Sequence, residues 1–146
     1  MTVLDAYAVV AYLRGEGAAD VVRGILEAGD AVLTSVGVAE VIDHLIRVVG
    51  ADEENATLDL AQLGLLDGLP VDAKVGAAAG RLRARHYHRA RRPVSMADCL
   101  ASEAARARGE PLATSDPPLL DLCHAESVAV VVLPGSDGSR WTPPAE

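Results

Sequence analysis

The sequence predicts an α/β fold of three layers, α/β/α, with helices on both faces of a short-stranded, mainly parallel central sheet. Short apolar runs of strand length alternate with longer segments of helical period, which is the pattern of successive βα units. At 146 residues the chain is long enough for one domain with a sizeable core. No internal repeat and no linker interrupts the alternation, so the strands are expected to share one sheet.

The elements follow in order. Thr2–Leu4 opens as a strand, and an apolar helix covers about Tyr7–Arg14. Ala18–Ala28 makes a second helix with Val21, Val22, Ile25 and Leu26 as its apolar positions. Ala31–Leu33 is the next strand, and Thr34 or Ser35 caps the helix after it. That helix carries Val38, Val41, Ile42, Leu45 and Val49 on one face, at spacings of 3 and 4. Asp52–Leu66 reads as another helix, closed by Asp67-Gly68, and Val71 as a very short strand. Asp72 to about Arg89 is a long helix that Pro93 ends. Ser95 starts a helix reaching Arg108, with Gly109 as its stop. Pro111–Thr114 is a strand, Pro117–Cys123 a short helix, and Ser127–Leu133 a strongly β-branched final strand. The domain is thus expected over residues 1–133. From Pro134 the Gly, Ser, Asp and Pro content marks a C-terminal tail, 134–146, with Trp141 as a docking anchor.

Composition narrows the function. Half of the residues are apolar, yet there is no Phe, one Trp and three Tyr, so the core is aliphatic. Twelve Arg stand against the single Lys74, a bias that, with the abundant Ala, suits a GC-rich coding sequence. No basic leader precedes the first strand, and Val128–Leu133 is far too short to span a bilayer. A soluble cytoplasmic protein without membrane contact is expected. Cys99 and Cys123 lack a C-x-x-C pattern and read as small buried thiols. The net charge of −8 argues against nucleic acid until its distribution is considered. Residues 81–92 hold six arginines, His86 and His88 and no acid; at +6 they leave the remainder at −14. A concentrated basic run beside an acidic cluster can bind phosphates. A solvated helix face accounts for the same run. His86 and His88 are expected on different sides of a helix, which speaks against a two-histidine metal site.

Four carboxylates fall at structural junctions. Asp5 and Asp116 follow predicted strands, while Glu40 and Asp98 lie in the opening turns of predicted helices. A parallel sheet gathers such positions at its carboxyl edge, where the functional crevice of open α/β sheets lies. Clustered carboxylates repel unless a hard cation neutralises them, which suggests Mg²⁺ or Mn²⁺. Each acid also has an ordinary explanation. Asp5 is a possible N-cap, and Asp116-Pro117 places Pro at the first helical position. Ser95-x-x-Asp98 has the form of a capping box. Glu40 shares a polar face with Asp43 and Arg47.

At these residues the chain resembles the PIN-domain ribonucleases, in particular the small VapC-type toxins of type II toxin–antitoxin pairs. The matching pieces are Val3-Leu4-Asp5-Ala6-Tyr7-Ala8, Val38-Ala39-Glu40-Val41, Ser95-Met96-Ala97-Asp98 and Leu112-Ala113-Thr114-Ser115-Asp116. The resemblance implies that Asp5, Glu40, Asp98 and Asp116 hold Mg²⁺ or Mn²⁺, supported by the Thr114 hydroxyl. It implies hydrolysis of RNA phosphodiesters by an activated water, leaving a 5′-phosphate and a 3′-hydroxyl. Arg81, Arg85, Arg89 and Arg92 would guide the RNA backbone. It further implies homodimerisation, and an antitoxin whose C-terminal segment packs along an apolar groove and occludes the carboxylate site; the helices at 7–14 and 18–28 are the candidate walls of that groove. Two positions depart from the pattern. Gly37 stands where relatives often have a hydroxyl residue, and Pro117-Pro118 where some carry a further carboxylate.

Other classes fit less well. Haloacid-dehalogenase-type phosphatases need Asp-x-Asp where this chain has Asp5-Ala6-Tyr7. Receiver domains need a late lysine, and residues 75–146 contain none. A PIN-like binding module without hydrolysis, and a nuclease of RNA maturation without an antitoxin, remain as alternatives.

Overall fold

Four strands form one sheet: β1 (Thr2–Leu4), β2 (Ala31–Val32), β3 (Leu112–Thr114) and β4 (Val130–Val132), in the order β2-β1-β3-β4. Every pairing is parallel, with Val3 opposite both Val32 and Leu112, and Thr114 opposite Val132. The computed structural model describes residues 1–145. The helices are α1 (Ala6–Leu13), α2 (Ala19–Glu27), α3 (Ser35–Arg47), α4 (Glu53–Gln62), α5 (Ala73–His86), α6 (Met96–Arg108) and α7 (Pro117–Ala125).

Alternation along the strands sets the layers. Successive strand residues point to opposite faces. Leu4 and Ala113 therefore pack into a core with Val9, Val22, Val41, Leu45 and Leu60 from α1 to α4. Val3 and Leu112 face the other way, against Leu82, Cys99, Ala105, Leu119 and Leu122 from α5 to α7. The result is an α/β/α sandwich. Strands of two or three residues offer few ladder hydrogen bonds, so stability comes from the two cores. Each fully buried Leu or Val contributes roughly 1.5–3 kcal/mol. Cys99 and Cys123 are free and buried in the second core, where desolvation raises each thiol to about 11.

Several element ends differ from the sequence reading for local reasons. The helix expected to reach Leu66 stops at Gln62, because Gly64 already adopts a left-handed φ of 72°. No strand forms at Val71; the parallel bridge lies two residues earlier, between Thr34 and Leu69. The long basic helix ends at His86 rather than Arg89, since Tyr87 turns extended and His88 pairs antiparallel with Arg92. Ser127 does not start the last strand. It sits at φ 57° as α7 ends, and the strand begins at Val130.

Beyond Leu133 no helix or strand forms among the described residues, but the segment is fastened down. The Arg140 guanidinium donates to the Val132 carbonyl at 2.8 Å, on the outer edge of β4. Trp141 Nε1 donates to Asp121 Oδ1 at 2.8 Å, and its ring meets His124 edge-on. Gly135 lies so close to the turn before α2 that a Cβ on Gly17 would stand 2.5 Å from its carbonyl oxygen.

Candidate active site

β1 and β3 both end at the same edge of the sheet, so the residues that follow them are neighbours. Asp5 comes directly after Leu4, and its N–H donates to the Ala113 carbonyl at 3.0 Å. Thr114, fully buried, turns its hydroxyl onto Asp5 Oδ2 at 2.8 Å. The same Thr114 oxygen accepts from the Asp116 N–H at 3.1 Å. One hydroxyl thus fixes the end of β3 to the end of β1 and sets the spacing of two acids.

Asp98 arrives from α6. The Ser95 hydroxyl accepts from the Asp98 N–H at 3.0 Å, and the Asp98 carboxylate accepts from the Ser95 N–H at 2.9 Å. This reciprocal capping box is worth about 1 kcal/mol to the helix and fixes the carboxylate at its positive end. Glu40 comes from α3, whose start is capped by Thr34. Arg47 pairs with Asp43 at 2.9 Å, which leaves Glu40 half-buried and without an ion-pair partner among the described residues. The ordinary explanations hold as local structure for Asp5, which caps α1, and for Asp98; Asp116 precedes α7 without a side-chain cap hydrogen bond, and all four acids share one place. Asp5, Glu40, Asp98 and Asp116 all line a cleft of about 540 Å³, with Tyr7, Ser95, Ser115, Gly135 and Ser136 among its other walls.

Electrostatics agrees with the geometry. Burial and the neighbouring Asp98 charge lift Asp5 to about 7, against the opposing hydrogen bonds from Thr114 and Tyr7. Glu40 is raised by desolvation and then by Asp98, and Asp116 by the same two causes. Asp98 is the common neighbour. Carboxylates that raise one another in a half-open cleft form a cation site in waiting. Among the described residues no three His, Cys, Asp or Glu side chains yet stand close enough to enclose an ion. The donor set is nonetheless all carboxylate oxygen, with a hydroxyl behind it, which suits a hard cation such as Mg²⁺ or Mn²⁺.

Residues 2–124 match the family model for the PIN domain. The chain belongs to the PIN domain family. PIN domains are nucleases, so hydrolysis is the chemistry against which the cleft is read. The fold is similar to the crystal structure of FitAcB from Neisseria gonorrhoeae, at 23% identity and a TM-score of 0.64, covering 89% of this chain and 96% of that one. It is equally similar to VapBC2 from Rickettsia felis bound to a DNA fragment from their promoter, at 16% identity and 0.64, with the same coverage. A structure of FitAB bound to an IR36 DNA fragment matches at 23% and 0.65, covering 90% and 94%. No curated protein matches the sequence.

The four arginines singled out for RNA separate in space. Arg81 lines the α5–α6 groove with Asp72, Glu103 and Arg106. Arg85 pairs with Glu126 at 3.3 Å. Arg89 is exposed within the 88–92 hairpin, and Arg92 is half-buried against His86. Sequence reasoning missed the cleft walls at Ser115, Gly135 and Ser136, the last two brought there by the returning tail. It also missed His44, one helical turn after Glu40, which meets the Tyr7 ring edge-on with centroids 5.8 Å apart.

Proposed function

We propose that this chain is a metal-dependent endoribonuclease of the VapC type, the toxin of a toxin–antitoxin pair in the cytoplasm. The observation that carries the reading is the convergence of Asp5, Glu40, Asp98 and Asp116 on one cleft of a PIN domain. Asp5, Asp98 and Asp116 would hold the cation, with Glu40 opposite them. When bound, Mg²⁺ or Mn²⁺ supplies Lewis-acid activation of water and neutralises charge on the phosphate.

The chain's own residues do the rest. Thr114 orients Asp5 and favours its ionised form by donating to it, against the burial that raises it. The capping box holds Asp98 against rotation. Glu40, which reaches the cleft from α3 with no hydroxyl or capping box fastening its carboxylate among the described residues, orients the attacking water and takes up its proton. In-line attack then yields a 5′-phosphate and a 3′-hydroxyl. Beside the cleft, a pocket of about 260 Å³ along α1 is walled by Tyr7, Val10, Ala11, Arg14, His44 and Ser136. The Nε2 of His44 is buried there without a hydrogen-bond partner among the described residues. This pocket supports an antitoxin segment lodged against α1 and blocking the acids. Homodimerisation is proposed on the family pattern.

The test is cleavage of a structured RNA by purified protein with Mg²⁺ or Mn²⁺, with EDTA, and with Asp98→Asn. Metal-dependent cleavage lost in the variant upholds the reading. A folded, antitoxin-free protein that holds Mn²⁺ and cleaves nothing across a broad RNA set overturns it in favour of a binding module.

A further inference from the structure

The end of α5 and the hairpin after it enclose a second, chemically distinct pocket of about 260 Å³, lined by His86, His88, Arg91 and Arg92. Had the helix continued to Arg89, the two histidines would face different sides; because it ends at His86, both line the same pocket. The hydrogen-bond roles of the rings follow from their partners. Arginine only donates, so His86 Nδ1 accepts from Arg92 Nη1 at 2.6 Å. His86 Nε2 therefore carries the hydrogen and donates to Glu126 Oε1 at 2.5 Å. His88 Nδ1 accepts from the backbone N–H groups of Ala90 and Arg91, at 3.2 and 3.0 Å, so its Nε2 also bears a hydrogen. Both nitrogens of His86 and one of His88 are thus occupied, which leaves no lone-pair set for a metal ion.

What remains on the side chains is donors alone: His88 Nε2–H, the Arg91 guanidinium and the unused N–H groups of Arg92. A pocket whose free side-chain groups all donate, two of them on permanent cations, suits an anion. The Glu126–His86–Arg92 chain holds the Arg92 guanidinium half-buried in one orientation, which lowers the entropy lost on binding. Only Pro93 and Val94 separate Arg92 from Ser95 on the acid cleft, at most about 11 Å of chain.

The geometry points to this hairpin pocket as a phosphate subsite that grips the RNA backbone beside the scissile bond, with Arg91 and Arg92 as the binding groups. His86 and Glu126 are positioning residues. The subsite rests on the nuclease reading and deepens it. It assigns the RNA path to the hairpin and away from Arg81, which faces Glu103 and Arg106.

The experiment measures binding of a labelled single-stranded RNA across a salt series, with Asp98→Asn as the non-cleaving parent and thermal melts confirming the fold. Each lost phosphate contact flattens the slope of log K against log salt by about 0.7. Arg91→Gln with Arg92→Gln is expected to flatten it by about 1.4, and Arg81→Gln to leave it unchanged. Arg91→Gln alone removes a guanidinium with no hydrogen-bond partner among the described residues, so its slope change is free of folding effects. Glu126→Leu separates positioning from bulk charge. Removing an acid tightens RNA binding if only net charge matters, whereas loss of the His86 acceptor weakens it several-fold here. Unchanged slopes in the arginine variants, or tighter binding by Glu126→Leu, overturn the subsite and leave the nuclease reading standing on cleavage. A parent that binds no RNA overturns both.

Discussion

Asp5→Asn should make the metal-free protein more stable at pH 8 while abolishing its activity. Asp5 is 7% exposed and its carboxyl is lifted from 3.8 to about 7. The folded state therefore holds this proton more tightly than the unfolded chain. Stability is greatest below the unfolded value of 3.8, falls as pH rises toward 7, and is flat above it. At about 1.4 kcal/mol per unit, the ionised carboxylate costs on the order of 4 kcal/mol at pH 8. Asparagine carries no charge, and its Oδ1 still accepts from Thr114. Its amide nitrogen no longer accepts from the Tyr7 N–H, a loss of about 1 kcal/mol. The net gain is roughly 2–3 kcal/mol at pH 8, or about 4–10 °C in Tm for a chain of this size. At pH 4 the gain vanishes, because the wild-type carboxyl is then protonated in the fold. Thermal melts in EDTA at the two pH values measure it. A variant that melts at or below wild type at pH 8, or differs equally at both, would refute the idea that Asp5 is held ionised against its surroundings.

Other perturbations have equally definite outcomes. Asp98→Asn should lower the Asp5 titration midpoint, read by carboxyl NMR, because Asp98 is the largest charge acting on Asp5; an unmoved midpoint would show that burial alone sets it. Thr114→Val removes the donor to Asp5 and the acceptor for the Asp116 N–H, at about 1–3 kcal/mol by denaturant titration, with Mn²⁺ affinity falling as well. Unchanged Mn²⁺ binding in calorimetry would place Thr114 outside the site's support. Gly17→Ala drives a methyl toward the Gly135 carbonyl and should cost about 1–3 kcal/mol, with RNA cleavage reduced through displacement of the cleft wall at Ser136. Full activity would mean that this wall is not used.

The alternation of strand and helix made the layers legible, since period-2 and period-3.6 patterns are local. The gathering of Asp5 and Asp116 at one edge was also legible, because parallel strands deliver their ends together. The end of α5 was not. Nothing in the Arg-rich run forbids helix through Arg89, and the break is closed by contacts outside any local pattern: the His88–Arg92 pairing and the backbone N–H groups of Ala90 and Arg91 on the His88 ring. The sharing of a pocket by His86 and His88 depends on that break. Gly135 and Ser136 were illegible for a different reason: a polar tail carries no periodicity, and its return to the cleft depends on Gly17, 118 positions earlier. Glu40 lay between the two cases. Its polar face was visible, but only the Asp43–Arg47 pair shows which acid on that face is left free.

The Arg140 contact also bears on how the protein should be handled. β4 is an outer strand of valines, Val130–Val132, and an unprotected edge of that kind recruits strands from other molecules. The guanidinium on the Val132 carbonyl, with Trp141 pinned to Asp121 behind it, occupies the position where an intruding strand would begin to zip. A chain cut back to the last strand would retain the acid-bearing segments yet bare that edge. It would then be prone to precipitate by edge-to-edge pairing.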